Sequence, residues 1–290
     1  MDCKICGQIT IKWGNGTYYL EDGKRFSVPF YYCRSCNTFI RQVDERSVLS
    51  HLKAASHTDL KNEERFFKMR IEFFKYLFSL VERHSDSLTN WLDFGCSYGH
   101  LLAYLKGKSI ECFGIEITKE VRGFAQNKGL LVFEKLDDLP EEKKFDVVSL
   151  IDSMYFSLEP DKLIQSIYSR IQQNGLIVIR ITNRNWLAKA RRILFNGNLG
   201  LALGDATISY SKKSISYLLE RNGFKILKTT SIEKGKSLEL KVNIFYFLTA
   251  VLYTLSFGLI NISPGIIVLA KKITPATDPQ VQSPYHEQLC

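Results

Sequence analysis

Trp91-Leu92-Asp93-Phe94-Gly95-Cys96-Ser97-Tyr98-Gly99-His100-Leu101-Leu102 decides how this chain is read. An apolar strand-length run, Trp91–Phe94, passes directly into a glycine-rich turn and then into a helix start, the form of a nucleotide-binding loop. Gly95 and Gly99 let the backbone approach a ligand closely, because neither carries a Cβ. In an open parallel sheet such a loop falls beyond the carboxyl ends of the strands, where ligands bind. The next apolar run, Cys112–Ile117, contains Glu116, 17 residues after Gly99. A carboxylate there can accept hydrogen bonds from both hydroxyls of a ribose. The third glycine of a dinucleotide fingerprint is absent, and Asp93 would repel a pyrophosphate but suits a ligand bearing an amino group. No GxxxxGK(S/T) occurs, which excludes a P-loop.

Outward from this turn the chain alternates helical and strand-like segments. Phe67, Ile71, Phe74, Phe78 and Val81 recur at spacings of 4, 3, 4 and 3, placing them on one helix face. Further strand-length runs are Leu130–Phe133, Val147–Ile151, Leu176–Ile181 and Phe224–Leu227. Asn127-Lys-Gly129, Gln173-Asn-Gly175 and Arg221-Asn-Gly223 each precede a strand, as glycine does when it closes a helix in the left-handed conformation. Helix, glycine and strand in repetition predict an α/β fold: a mostly parallel sheet with helices on both faces.

The 290 residues are 45% hydrophobic and 24% charged, which excludes a disordered or fibrous chain. Lys and Arg number 39 against 30 acids, a net +9 that suits acidic partners without choosing among them. Met1–Thr10 has no apolar signal core, so a cytoplasmic location is expected.

Residues 1–50 have a texture of their own. Gly14-Asn-Gly16 and Asp22-Gly23 read as hairpin turns between short β-prone runs. Cys3-x-x-Cys6 and Cys33-x-x-Cys36 form two CxxC knuckles, each followed by a residue that tolerates a tight backbone, Gly7 and Asn37. Four thiolates suit tetrahedral Zn2+ at about 2.3 Å and leave no open position, so a zinc-ribbon-like module with a structural metal is expected. His51 and His57 are not needed as ligands. Cys96, Cys112 and Cys290 are paired by no spacing.

At this point the sequence resembles a known family. DFGCSYGHLL is similar to motif I, (D/E)xGxGxG, of the class I S-adenosylmethionine-dependent methyltransferases, and the resemblance continues through GIEIT, FDVVSLIDSMYF and YSKKSISYLLERNGFKI, over residues 60–272. It is strongest to the mixed subgroup that methylates small molecules, lipids and sugars, some members of which carry an N-terminal CxxC module. The resemblance implies a Rossmann-like domain with S-adenosyl-L-methionine as cofactor. Asp93 and the Gly95–Gly99 loop, with Ser97 and Tyr98, would border its methionine part. Glu116, with Ile117, would hold the ribose, and Leu136 and Asp137 would cover the adenine. Asp152 would face the acceptor. Asp152, Tyr155 and Tyr210 are the candidates for proton removal. Ser97 stands where the motif has its middle glycine, which is tolerable if its φ is negative. Lys135 occupies the place of an adenine-binding acid, and Tyr155-Phe156 stands where many members carry Glu-His, so a His base is absent there.

The implied acceptor is a small molecule, glycan or lipid. A nucleic-acid acceptor is the alternative, disfavoured because no (D/N)PP(Y/F) follows the fourth strand and the cysteine module lacks a dense basic cluster. A non-catalytic binding protein of the same fold is the third reading. Arg184, Lys189, Arg191 and Arg192, among Trp186, Leu187, Ile193 and Leu194, predict a basic amphipathic helix that could meet an anionic head group or membrane surface. Val242–Ala270 carries no charge. If Val242–Ile262 crossed a bilayer, Ile266–Ala270 could not share a sheet with Phe224–Leu227. An insertion of one or two apolar helices is therefore expected, buried or peripheral at the inner face of a membrane. Residues 273–290 read as a flexible tail.

Overall fold

A computed structural model describes residues 1–19, 25–44, 47–48, 63–195, 197–231, 240–256 and 260–273. Asp22-Gly23, His51, His57, Cys290 and all of the expected tail except Ile273 lie outside the described residues.

The chain opens with β1 (Ile11–Tyr19), β2 (Arg25–Cys33) and β3 (Thr38–Arg41). Then follow α1 (Glu63–Glu82), β4 (Asn90–Phe94), α2 (His100–Lys106), β5 (Glu111–Ile115), α3 (Lys119–Asn127), β6 (Leu131–Phe133) and β7 (Phe145–Ile151). The second half contains α4 (Pro160–Arg170), β8 (Ile171–Thr182), α5 (Asn185–Phe195), α6 (Leu199–Leu203), β9 (Ile208–Ser209) and α7 (Lys212–Arg221). It ends with β10 (Phe224–Thr230), α8 (Leu240–Leu255) and β11 (Gly265–Lys272).

Seven strands form one sheet in the order β10-β11-β8-β7-β4-β5-β6. β11 runs antiparallel to both neighbours, and the pairs from β8 through β6 are all parallel. The expected α/β sheet is therefore present. The central strand β7, Phe-Asp-Val-Val-Ser-Leu-Ile, is buried at every position, as a strand covered on both faces must be. Alternation sorts β8 into two cores: Ile177, Ile179 and Ile181 join Ile164, Ile167 and Leu218 on one side, while Leu176 and Val178 join Leu77, Leu105 and Trp91 on the other. The buried stripe of α1 includes Phe74 and Val81 but is centred on Phe73, Leu77 and Leu80. Phe67 and Phe78 only flank it, half-buried.

Three turn expectations divide. Gly129 and Gly223 take the left-handed conformation, with φ of 72° and 84°. At Gln173-Asn-Gly175 the strand has already begun, the positive φ of 63° belongs to Asn174, and the pairing of β8 with β7 shifts register between Phe145 and Val147. Gly175 is needed there for room, since a Cβ would lie 2.7 Å from Ile171 Cγ2 and 3.0 Å from the Asp146 carbonyl. Gly14-Asn-Gly16 is not a turn but the interior of β1. A Cβ at Gly14 would meet Leu199 Cδ1 at 2.9 Å, and one at Gly16 would meet Phe30 Cε2 at 2.6 Å, so these glycines admit α6 and the neighbouring strand.

The N-terminal sheet has the order β1-β2-β3-β9, so its fourth strand comes from the far half of the chain. Asn185 fastens this junction. Its amide nitrogen donates to the Asn37, Ser209 and Tyr210 carbonyls at 2.7, 3.3 and 3.2 Å, and its oxygen accepts from Ser209 Oγ at 2.6 Å. Cys3, Ile5, Cys33, Cys36 and Ile40 belong to the same core as β8 and α7, so the cysteine module and the large sheet share one interior.

Candidate functional site

The turn after β4 lies at the carboxyl edge of the sheet, beside β5 on one side and β7 on the other. Gly95 N and Cys96 N donate to the Ile115 carbonyl at 2.8 and 3.0 Å, which folds the turn back over β5. Gly95 and Gly99 have φ of 78° and 74°. A Cβ at Gly95 would sit 2.4 Å from Ser153 Cβ, and one at Gly99 would sit 2.4 Å from Leu130 Cδ1. The glycines thus serve the approach of the loop after β7 and of the β6 side as well as any ligand. Ser97 has a φ of 51°, so the condition of a negative φ, under which the replacement of glycine is tolerable, is not met. Its strained amide donates to Glu116 Oε2 at 3.0 Å, which holds it there.

Glu116 stands just beyond β5 and also accepts from Thr118 N at 2.8 Å. Each carboxylate oxygen has a second lone pair, so both can still receive a hydroxyl. Arg122 Nη1 donates to the Glu116 and Ile117 carbonyls at 2.7 and 3.1 Å, fixing this segment. Leu136 and Asp137 form a short 3-10 turn after β6, the place expected of residues covering a ring. Tyr98 packs edge-on to Phe124 with ring centroids 5.5 Å apart.

Asp93, in β4, is 3% exposed. Ser149 Oγ donates to its Oδ1 at 2.6 Å, and Trp91 Nε1 donates to Ser149 Oγ at 2.8 Å. Burial outweighs the Ser149 bond and the Arg70 charge and pushes the Asp93 carboxyl up to about 6. A cationic ligand would relieve that burial penalty. The residues present therefore fit a ligand with an ammonium group and a ribose.

At the end of β7, Asp152 has a φ of 58° and donates its N–H to the Arg180 carbonyl at 3.0 Å. Its carboxylate is bonded to the Arg180 guanidinium and lies 3.3 Å from Arg70 Nη2. A carboxylate so engaged anchors two guanidiniums at the mouth of the crevice, which is not the placement of a free base. Burial pushes the Tyr155 hydroxyl up to about 12, against removal of a proton by it near neutrality. Tyr210 is 1% exposed, packed in the core beside Cys3, and its hydroxyl oxygen has no hydrogen-bond partner among the described residues. Burial pushes it up as well, and its enclosure corrects the expectation that it meets an acceptor.

Arg70, Arg180, Glu63 and His100 are additions from the structure. Glu63 Oε1 lies 2.7 Å from His100 Nε2 and 2.9 Å from Lys128 Nζ, so α1 is tied to the start of α2 at one end and to β7 at Arg70. Glu63 and Arg70 are seven residues apart, hence on one helix face.

Cys3, Cys6, Cys33 and Cys36 converge, with all four Sγ atoms within 4.8 Å of one another. Cys3–Cys36 and Cys6–Cys33 are separated by 3.5 and 3.4 Å. Gly7 and Asn37 behind the knuckles have positive φ of 72° and 56°, as expected. The Cys36 hydrogen bond pulls the Cys3 thiol down to about 5, while burial pushes Cys6 up to about 11. Ser211, the N-cap of α7, donates through Oγ to the Cys36 carbonyl at 2.7 Å. Arg221, at the far end of α7, bonds the Ile5 carbonyl and lies near enough to feel the charge of Cys6, Cys3 and Cys36. A soft, closed donor set of four sulfurs beside a guanidinium fits a tetrahedral metal–thiolate centre.

Residues 65–229 match a family described as a methyltransferase domain. Among curated proteins none matches the chain by sequence. Among solved structures, the plantazolicin methyltransferase BpumL, in complex with a triazolic desmethylPZN analog and SAH, is 16% identical. It superposes with a TM-score of 0.52 over 79% of this chain and 98% of its own. The magnesium protoporphyrin IX methyltransferase ChlM from Synechocystis PCC 6803, with bound SAH, is 16% identical, with a TM-score of 0.51 over 78% of this chain and 99% of its own. At such identities the likeness is one of fold. The family match, however, runs over more than half of the 290 residues and includes the turns after β4, β5 and β7, so the chain belongs to the methyltransferase-domain family and is an S-adenosylmethionine-dependent enzyme.

Proposed function

We propose that the chain methylates a small-molecule, glycan or lipid acceptor at the crevice beyond β4, β5 and β7. The observation that carries this reading is the buried Asp93 set beneath a positive-φ glycine turn whose Ser97 amide is held by Glu116. Bound there, S-adenosylmethionine would supply a methyl group on a cationic sulfur; the acceptor atom bonds to that carbon as the carbon–sulfur bond breaks and its electron pair stays on sulfur. Asp93 would face the amino group, Glu116 the ribose hydroxyls, and Leu136, Asp137, Ile117 and Tyr98 the remaining surfaces. Catalysis of such a displacement rests chiefly on holding the acceptor in line at about 3–3.5 Å. Asp152 contributes by fixing Arg70 and Arg180, and Tyr155 by forming a wall of the acceptor side. Neither is needed as a base if the acceptor's proton passes to water.

The four cysteines would hold one Zn2+ that ties the Cys3–Cys6 knuckle to the knuckle at the end of β2. Four sulfur ligands leave no position for a substrate, so the metal is structural.

The test is transfer of radiolabelled methyl from S-adenosylmethionine into extract of the source cell, split into lipid, glycan and nucleic-acid pools. Label in the lipid or glycan pool supports the reading. Label confined to nucleic acid would replace it with the alternative, and no label in any pool would leave a binding protein.

A further inference from the structure

The helix α8 is built inside out. Ile244, Phe247, Leu248, Val251 and Leu255 share one face at spacings of 3, 1, 3 and 4, and that face points to solvent. Phe247, Leu248 and Leu255 are 68, 57 and 74% exposed, whereas the polar Thr249 is turned inward at 3%. A charge-free row of large apolar side chains facing water marks an interaction surface.

Its place in the fold says which. β10 ends and β11 begins at the carboxyl edge of the sheet, because Thr230 pairs with Ile267 and Gly265 with Thr182. α8 therefore leaves from and returns to the edge that carries the crevice. α5 springs from the same point. Asn183 Nδ2 donates to the Asn261 and Ser263 carbonyls at 3.1 and 3.0 Å, and Asn261 Nδ2 donates to Ser231 Oγ at 2.7 Å. This knot joins the root of the basic helix to both roots of the apolar one. From Asn183 to Gly204 the chain has Arg184, Lys189, Arg191 and Arg192 and no acid, and Leu201 is 68% exposed nearby in sequence. An apolar face without charge, joined at its roots to the acid-free basic segment 183–204, complements an anionic bilayer: apolar side chains enter the acyl boundary while cations of that segment, such as the exposed Arg184, meet the head groups. No helix among the described residues is long and apolar enough to cross a membrane, so α8 would lie in the interface.

We propose that the α5–α8 edge docks on an anionic lipid bilayer, and that the acceptor is a lipid presented to the crevice from that surface. The choice of a lipid acceptor rests on the methyl-transfer reading above; the docking does not.

The experiment is sedimentation of the full chain with vesicles of phosphatidylcholine alone, or of three parts phosphatidylcholine to one part phosphatidylglycerol. Calorimetry with S-adenosylmethionine is run on the same preparations. The chain should sediment with the mixed vesicles, less so at high salt. The triple variant Phe247→Ser, Leu248→Ser, Leu255→Ser should lose at least about tenfold in partition while binding S-adenosylmethionine as wild type does. Wild-type protein that stays in the supernatant with both vesicles overturns the docking. So does a triple variant that sediments unchanged, or a concentration-dependent dimer that the triple variant abolishes. Docking without label in the lipid pool overturns the lipid acceptor. Failure of wild type to bind S-adenosylmethionine would instead strike the methyl-transfer reading.

Discussion

If Asp93 receives the ammonium of the cofactor, binding is linked to its titration. In the free protein, burial raises its carboxyl to about 6. The ammonium favours the ionised form, so the bound-state value falls below the free one and binding releases a proton. Affinity is therefore full above pH 6 and is lost as pH falls through it. With the bound value well below 5, the apparent dissociation constant grows by 1 + 10^(6 − pH), about 2-fold at pH 6 and about 11-fold at pH 5. Titration calorimetry from pH 5 to 7, in two buffers of different ionisation heat, reads both the slope and the released proton. Asp93→Asn should bind more weakly at neutral pH and give a flat profile. Ser149→Ala removes the hydrogen bond that favours the ionised form, so its midpoint should move upward. His100, whose burial lowers its own value, is intact in both variants, which keeps its titration apart. A wild-type affinity constant across this range, or an Asp93→Asn protein that keeps the tenfold loss, would refute the assignment.

Other expectations follow from single contacts. Gly95→Ala combines a φ of 78° with a Cβ 2.4 Å from Ser153 Cβ and should cost about 2–4 kcal/mol in urea unfolding; adding Ser153→Gly should return the steric part only, and an unchanged midpoint would contradict the packing. Metal analysis should find one zinc per chain, and Cys33→Ser should lose it and lower the thermal midpoint by at least about 5 °C, since Cys33 is wholly buried in the shared core; full metal content in that variant would exclude the site. Tyr155→Phe should keep cofactor affinity and leave no alkaline limb missing from the rate profile, because a hydroxyl at about 12 does not titrate in the working range; a lost limb would restore it as a base.

The alternation of strands and glycine-closed helices was legible because buried parallel strands read as continuous apolar runs, as in Leu176–Ile179. The placement of the proposed cofactor residues was legible for a local reason: Gly95, Gly99 and Glu116 each sit within a few residues of a strand end, so sequence order nearly fixes their place. What escaped is what depends on contacts distant in sequence. Asn185 joining Asn37 to β9, Arg221 reaching Ile5, and Arg70 and Arg180 meeting at Asp152 have no local pattern. Glycine misled twice for one reason. At Gly14, Gly16 and Gly175 it answers crowding by a distant side chain or backbone, which from sequence looks like turn chemistry. Ser97 shows the reverse: a positive φ on a residue with a side chain, held by the Glu116 bond that makes the turn.

The central claim is that S-adenosylmethionine binds between the turn after β4 and the acid after β5. Calorimetry of wild type against Glu116→Ala, with circular dichroism to show that the variant is folded, tests it most directly. The account predicts one cofactor per chain in wild type and, from the loss of the ribose contacts and of the carboxylate that holds Ser97 and Thr118, at least about 30-fold weaker binding in the variant. A wild-type chain that takes up no S-adenosylmethionine, or a folded Glu116→Ala protein that binds it equally well, would contradict it.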